Sequence, residues 1–166
     1  YGPVITEAQL TLMLAAVERA RAAGGRVLTG GVRLTDPAHG RGYYLAPTVL
    51  EHVGREAEIT AAELFGPITC LYRVRDFEDA MAFADASPFG LTAAIHTKSL
   101  DRAMAFVQRV KAGVASVNGG TYGSEPHMPF GGLRQSGTGG REAGTEALDV
   151  YSEWKTVYLN HDPQGV

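Results

Sequence analysis

Two short stretches concentrate residues suited to holding a flat, polar ligand. The first is Ala62-Glu63-Leu64-Phe65-Gly66-Pro67, where a carboxylate and an aromatic ring stand two positions apart just before an apolar run at 68–74. Gly66 permits unusual dihedrals, and Pro67 stiffens the entry to that run. A carboxylate at such a strand edge can accept hydrogen bonds from a pair of sugar hydroxyls while the ring packs on a flat heterocycle, a combination suited to a nucleotide ribose. The same residues also describe a surface glutamate and a core phenylalanine. The second stretch is His127-Met128-Pro129-Phe130-Gly131-Gly132-Leu133-Arg134-Gln135-Ser136-Gly137, a glycine-punctuated loop that gathers an aromatic side chain and several backbone N–H groups. Such loops line pockets. A phosphate cradle is not expected, because no Gly-Lys-Ser/Thr follows and Glu142 stands where a dinucleotide loop has its third glycine.

Other reactive groups do not assemble into a site. Cys70 lies inside the apolar run with no adjacent basic partner, so it reads as core packing and not as a nucleophile. Glu125 and His127 are spaced i, i+2 on a loop and lack the further ligands zinc requires, and His39, His52, His96 and His161 are scattered. No metal site is expected. A hydrolase built on Ser124 or Ser136 with His127 lacks the Gly-x-Ser-x-Gly elbow, and we reject it.

The elements that must position these loops follow from periodicity. Leu10, Leu14 and Val17 recur at helical spacing, with Thr6 as N-cap and Gly24-Gly25 as terminator, which predicts a helix over 6–23. A short strand at 26–29, a polar loop at 30–42 and an extended segment at 43–53 come next. Then an apolar strand at 68–74, a helix at 77–86, a strand at 92–96, a helix at 100–110 and a strand at 113–117 make a β-α-β-α-β series. Right-handed crossovers imply parallel strands with helices packed on the sheet, an α/β fold. After Asn118 the chain is rich in glycine, and 151–159 reads as a closing strand, with Tyr151, Trp154, Val157 and Tyr158 among polar residues.

The 166 residues are 45% hydrophobic and 20% charged, enough for one globular core. With 15 basic and 18 acidic side chains, a net charge of −3 and no dense Lys/Arg cluster, nucleic acid is not expected as a partner. No stretch approaches the roughly 20 apolar residues of a membrane span. A single cysteine fits a reducing compartment, and we expect a cytoplasmic protein. The opening Tyr1-Gly2-Pro3-Val4 has no initiating Met and no basic n-region, and reads as the middle of a longer chain.

Taken together, the segments carry a resemblance. Gly42-Tyr43-Tyr44-Leu45-Ala46-Pro47-Thr48-Val49, then 63–67, Phe89-Gly90-Leu91-Thr92-Ala93-Ala94-Ile95-His96-Thr97, Ala112-Gly113 to Asn118, Pro129-Phe130-Gly131-Gly132, Ser136-Gly137 and Arg141-Glu142 occur in the order and spacing of the aldehyde dehydrogenase superfamily. The chain resembles roughly the last third of a member, from Gly2 to about Asn160. The resemblance implies part of a parallel-sheet, three-layer catalytic domain over 1–150, with an oligomerisation strand and tail over 151–166. It implies an NAD(P)-dependent oxidoreductase that converts an aldehyde to a carboxylic acid. NAD or NADP would be the cofactor, a small-molecule aldehyde the substrate and homo-oligomers the assembly.

Residue by residue, Glu63 matches the glutamate that binds the nicotinamide ribose, and Phe65 the aromatic that helps place the nicotinamide. Phe130 matches the aromatic near the mouth of the substrate pocket. Tyr122, Glu125 and His127 fall in the loop that shapes substrate choice, and a structural role is implied for Asn118. The catalytic cysteine and the water-activating glutamate of the family lie upstream of the matched region, so the segment itself is expected to be inactive and to contain no catalytic residue. Ala62 stands where many members have a second glutamate, Arg134 where lysine is common, Asp85-Ala86-Ser87-Pro88 replaces an asparagine-containing turn, and Gly139-Gly140 adds one glycine before Arg141. The 119–128 loop and the 146–156 ending look most like members acting on semialdehydes such as 2-oxoglutaric semialdehyde. The alternative is a truncated, non-catalytic self-association module of the same fold.

Overall fold

The structure is a computed structural model that describes residues 1–161 and 165. Its backbone divides into two compact units, Tyr1–Ser87 and Pro88–Val166.

In the first unit, α1 (Glu7–Ala22) begins where the Thr6 hydroxyl accepts the Gln9 backbone N–H at 3.2 Å. Its buried stripe is Leu10, Met13, Ala16, Val17 and Ala20, a helical repeat that turns one face to the sheet. The helix closes at Gly24 (φ +96°), and the Gly25 N–H returns to the Ala20 carbonyl at 2.9 Å. The sheet has the order β1 (Arg26–Thr29), β2 (Thr48–Glu51), β3 (Ile68–Leu71). β1 runs antiparallel to β2, and β2 runs parallel to β3 with Leu50 opposite Cys70. Thr48 is buried, and its hydroxyl accepts from Gly31 N–H at 2.8 Å and donates to the Ala46 carbonyl at 2.7 Å, closing the 30–47 loop onto β2. The core is built on Ala16, Val17, Ala20, Leu50, Val53 and Ile59, and Leu64, Ile68, Cys70 and Tyr72 pack against it.

Helix α2 (Glu58–Ala61) precedes β3, and α3 (Phe77–Asp85), capped by Asp76, follows it. An aromatic and ionic column ties α3 down. Tyr72 of the stretch after β3 meets Phe83 edge-on at 4.7 Å, and the Arg55 guanidinium lies over the Phe83 ring, 4.5 Å from its centroid. The Arg55 guanidinium donates two bonds to Asp79, at 2.8 and 3.0 Å. That fork, with the Arg75 backbone N–H, holds the Asp79 carboxyl well below the usual carboxylate range. A carboxylate whose folded pKa is depressed stabilises the fold above its unfolded pKa, and the contribution fades as the pH falls toward the folded value. We therefore expect Asp79→Asn to lower Tm at pH 6 and the gap to wild type to narrow steadily below about pH 4. Thermal melts of both proteins across that range check it; a gap that widens in acid would contradict the assignment.

The second unit pairs β4 (Phe89–Gly90) antiparallel to β7 (Leu133–Arg134), and β5 (Thr92–Ile95) parallel to β6 (Val114–Val117). Helix α4 (Leu100–Arg109), capped by Ser99, makes the crossover between the parallel strands, burying Ala103 and Phe106. A short α5 (Ala147–Val150) lies near the end.

The α/β class with parallel pairing is borne out, with two corrections to the detail. The three predicted strands do not form one series: β3 pairs with β2, which the sequence marked only as extended, and β5 pairs with β6. Periodicity shows that a strand is half-buried but does not name its neighbour. The predicted strand at 151–159 is also absent among the described residues: no ladder partner meets it, and Tyr151, Trp154 and Tyr158 are 83%, 98% and 86% exposed. An amphipathic run becomes a strand only where another edge supplies hydrogen bonds. Positions 162–164 and 166 of the predicted tail lie outside the described residues. Among the described residues no helix is long and apolar enough to cross a membrane.

Candidate functional site

The Glu63 loop is shaped from its middle residue outward. Ala62 leaves α2 in extended conformation. The Leu64 side chain packs into both apolar clusters of the first unit, and its carbonyl accepts the side-chain amide of Gln9 at 2.5 Å. Anchoring the middle residue leaves its two neighbours outside: Glu63 is exposed and Phe65 is 77% exposed. The core-phenylalanine reading of Phe65 is thereby ruled out. Phe65 also has φ +55°, the left-handed region, where a bulky residue carries strain of about 1–3 kcal/mol. Next to it Gly66 lies against the thioether end of the fully buried Met13, which a Cβ there would have to displace. The loop is then sewn to the sheet, with the Pro67 carbonyl accepting Thr48 N–H at 2.8 Å.

Glu63 and Phe65 thus share the rim of one cleft of about 430 Å³, whose walls include Thr60, Thr69, Cys70 and Tyr72. Tyr72 and Thr60 join hydroxyls there. Burial pushes the Cys70 thiol up, so it stays protonated near neutrality and is poorly suited to nucleophilic attack. Cys70 packs against the core, as its apolar setting predicted.

In the second unit the Pro129 to Gly132 loop is held by close backbone approach. The Phe130 backbone exchanges two hydrogen bonds with Glu142, at 2.9 and 2.8 Å, so the ring is displayed from a bridged pair. Gly131 lies against the Gly140 carbonyl and Gly132 against Ser136, while the Ser136 hydroxyl accepts Gly90 N–H at 3.1 Å and ties the loop to β4. Arg141 donates to the Gly140 carbonyl at 3.0 Å. Half-buried Phe130 lines a cleft of about 300 Å³ with Leu91, Thr138 and Arg141. Tyr122, Glu125 and His127 do not line that cleft; all three are exposed, and Glu125 and His127 lie on a turn closed by Met128 N–H to the Glu125 carbonyl at 2.9 Å. Among the described residues no three His, Cys, Asp or Glu side chains come together as a metal site. Asn118 does the structural work implied for it: at φ +56° its amide accepts Thr97 N–H at 2.8 Å and donates to the Thr97 carbonyl at 3.0 Å.

A family model described as the aldehyde dehydrogenase family matches residues 1–157. The chain belongs to the aldehyde dehydrogenase family. It is 34% identical over 158 residues to an alpha-ketoglutaric semialdehyde dehydrogenase of Bacillus subtilis, covering 95% of this chain and 32% of that protein. Among solved structures it is similar to an NAD-dependent aldehyde dehydrogenase from Sinorhizobium meliloti, with TM-score 0.87 and 33% identity over 95% of this chain and 30% of that one. It is also similar to a betaine aldehyde dehydrogenase from Staphylococcus aureus in complex with NAD+, with TM-score 0.84 and 29% identity over 90% of this chain and 29% of that one. The chain therefore spans about a third of the length of the aldehyde dehydrogenases it matches.

Sequence reasoning passed over Gln9, whose contact with Leu64 spans 55 positions. Its signal was hidden, because Thr6-Glu7-Ala8-Gln9 reads as an ordinary capping pattern.

Proposed function

We propose that this chain is the C-terminal part of an NAD(P)-dependent aldehyde dehydrogenase, in which Glu63 and Phe65 hold the nicotinamide half of the cofactor. The observation that carries the reading is the pair itself: an exposed carboxylate and an exposed ring, two positions apart, held outward on one cleft by a half-buried Leu64 packed on the core and a strained backbone. The cleft suits a ribose and a flat heterocycle, since the carboxylate accepts from two adjacent hydroxyls and the ring offers a planar apolar face. A bound nicotinamide supplies the hydride acceptor. The chain's own part is to orient it. Glu63 fixes the ribose and Phe65 limits the tilt of the ring, so that the reacting face meets the aldehyde in one geometry.

Phe130 contributes an apolar wall at the substrate mouth, and Tyr122, Glu125 and His127 border the entrance and shape the choice of aldehyde. A semialdehyde is the first substrate class to try, in keeping with the name of the Bacillus relative. The nucleophile belongs to another part of the whole protein, and the 166 residues alone do not turn over aldehydes. The exposed aromatic side chains of 151–159 serve as an assembly strand between copies of the whole protein. The reading places the enzyme in the cytoplasm.

Glu63→Ala in the native protein tests it. Removing a carboxylate that accepts two hydroxyl bonds should raise the dissociation constant for NAD about tenfold and slow aldehyde-dependent formation of reduced nicotinamide, with Tm little changed because the side chain is exposed. Unaltered cofactor binding and turnover in that variant would sink the proposal.

A further inference from the structure

We infer that Gln9 is a positioning residue for the cofactor side of the Glu63 cleft, acting through the Leu64 carbonyl that it holds from α1. The inference rests on the reading of Glu63 and Phe65 given above.

Gln9 is the third residue of α1, in the pattern Thr6-x-x-Gln9. At that place a glutamine side chain normally folds back to the N–H of the capping residue. Here the backbone keeps its half of the cap, with Gln9 N–H on the Thr6 hydroxyl at 3.2 Å, but the side-chain amide crosses to another element and donates to Leu64 at 2.5 Å. A local role has been exchanged for a tertiary one.

The carbonyl it holds belongs to the peptide between Leu64 and Phe65. The orientation of that peptide plane sets the φ of Phe65, which is +55°. A bulky residue keeps such a φ only where its surroundings over-determine it. Packing of Leu64 into the core fixes the residue before, and Met13 pressed against Gly66 fixes the residue after. Gln9 fixes the peptide plane between them. It does so from a rigid base, since Leu10 and Met13 on the same turns of α1 are 1% and 0% exposed. Without that donor the peptide can rotate, Phe65 can relax toward negative φ, and the angle between its ring and the Glu63 carboxylate is no longer set.

Two variants separate this role from helix capping and from charge. In Gln9→Glu the side chain keeps its shape and remains a good capping partner with a favourable charge at a helix N-terminus, but it loses the donor. In Gln9→Met the donor is lost without adding charge. Binding of NAD to the native protein is measured by calorimetry, beside thermal melts, for both variants, for Glu63→Ala, for Phe65→Ala and for Gln9→Met combined with Phe65→Ala. We expect both Gln9 variants to bind NAD about five- to tenfold more weakly, with Tm of Gln9→Glu at or above wild type. In the Phe65→Ala background, Gln9→Met should add less than about twofold, because its effect passes through the placement of that ring. If Gln9→Met binds NAD as wild type does while Glu63→Ala binds it weakly, the positioning role falls and the reading of Glu63 stands. Full additivity in the double variant also overturns it, since Gln9 would then act independently. If Glu63→Ala itself leaves binding unchanged, both readings fall together.

Discussion

Gly113→Ala is expected to destabilise the second unit by about 3 kcal/mol or more. A Cβ at Gly113 would overlap the Gly131 carbonyl oxygen and lie 2.8 Å from its carbonyl carbon and 3.2 Å from the Gly132 Cα. All three are backbone atoms, so no rotamer change relieves the clash. Either β6 must move off the Pro129 to Gly132 loop, breaking the 3.0 Å bond from Gly113 N–H to the Gly90 carbonyl, or the loop must leave and release the Phe130–Glu142 bridge. Urea unfolding followed by circular dichroism measures the loss, and hydrogen exchange should show the Phe130 and Glu142 amides losing protection first. Gly54→Ala serves as the control, since a Cβ there meets nothing within 4 Å, and it should change stability by no more than about 0.5 kcal/mol. A Gly113→Ala protein as stable as that control would show that the close approach is not obligatory.

Leu50→Ala is expected to cost about 2–5 kcal/mol in the first unit. Leu50 is 0% exposed and lies in the cluster of Ala16, Val17, Ala20, Val53 and Ile59, where the small α1 residues bring the helix close to the sheet. Ala16 and Ala20 cannot extend to fill the space left behind. The consequence reaches the site, because Leu50 is opposite Cys70 in the β2–β3 register, and Cys70 is a wall of the Glu63 cleft. Leu50→Met conserves most of the volume and should cost less than about 1.5 kcal/mol. Chemical denaturation of both variants checks the ranking, and NAD binding at a temperature where Leu50→Ala is still folded should be weakened more than in Leu50→Met. Equal stability of the two variants would mean that the cluster collapses onto the cavity and that the cleft wall is soft.

Much of the local structure was legible because its causes are local. Helix α1 with its Thr6 cap, α3 after Asp76 and α4 after Ser99 follow from apolar spacing and from side-chain oxygens that satisfy the first N–H groups. Glu63 and Phe65 could be singled out only because their motif occurs in order and spacing with the other segments of the resemblance; the short stretch by itself equally describes a surface glutamate and a core phenylalanine. The spacing did not show whether the ring was buried. That depended on Leu64, whose side chain takes the inward place and turns its neighbours out.

The expected strand at 151–159 illustrates the opposite case. Its aromatic and apolar residues set among polar ones are compatible with a strand, but a strand exists only as a pair, and no partner edge meets it among the described residues. The parallel neighbour of β3 was illegible for the same reason, since β2 announced itself only as an extended, half-buried stretch. The glycines at 113, 131 and 132 are visible in any reading, yet the need for Gly113 is set by the Gly131 backbone on another element, and the need for Gly131 and Gly132 by the return of their own loop at Gly140 and Ser136.

The amino-acid sequence by itself determined the three longer helices, the Thr6 cap, the α/β class and the residues that define the family, because these depend on dihedral preference, on burial period and on the order of motifs along the chain. Tertiary structure alone decided how those residues are presented: the left-handed Phe65, the Gln9 amide on the Leu64 carbonyl and the cleft between α2 and β3. The physical reason is that the Phe65 strain and the cap relinquished by Gln9 are balanced by contacts made tens of residues away, from α1 to the loop before β3, and no local pattern records that balance.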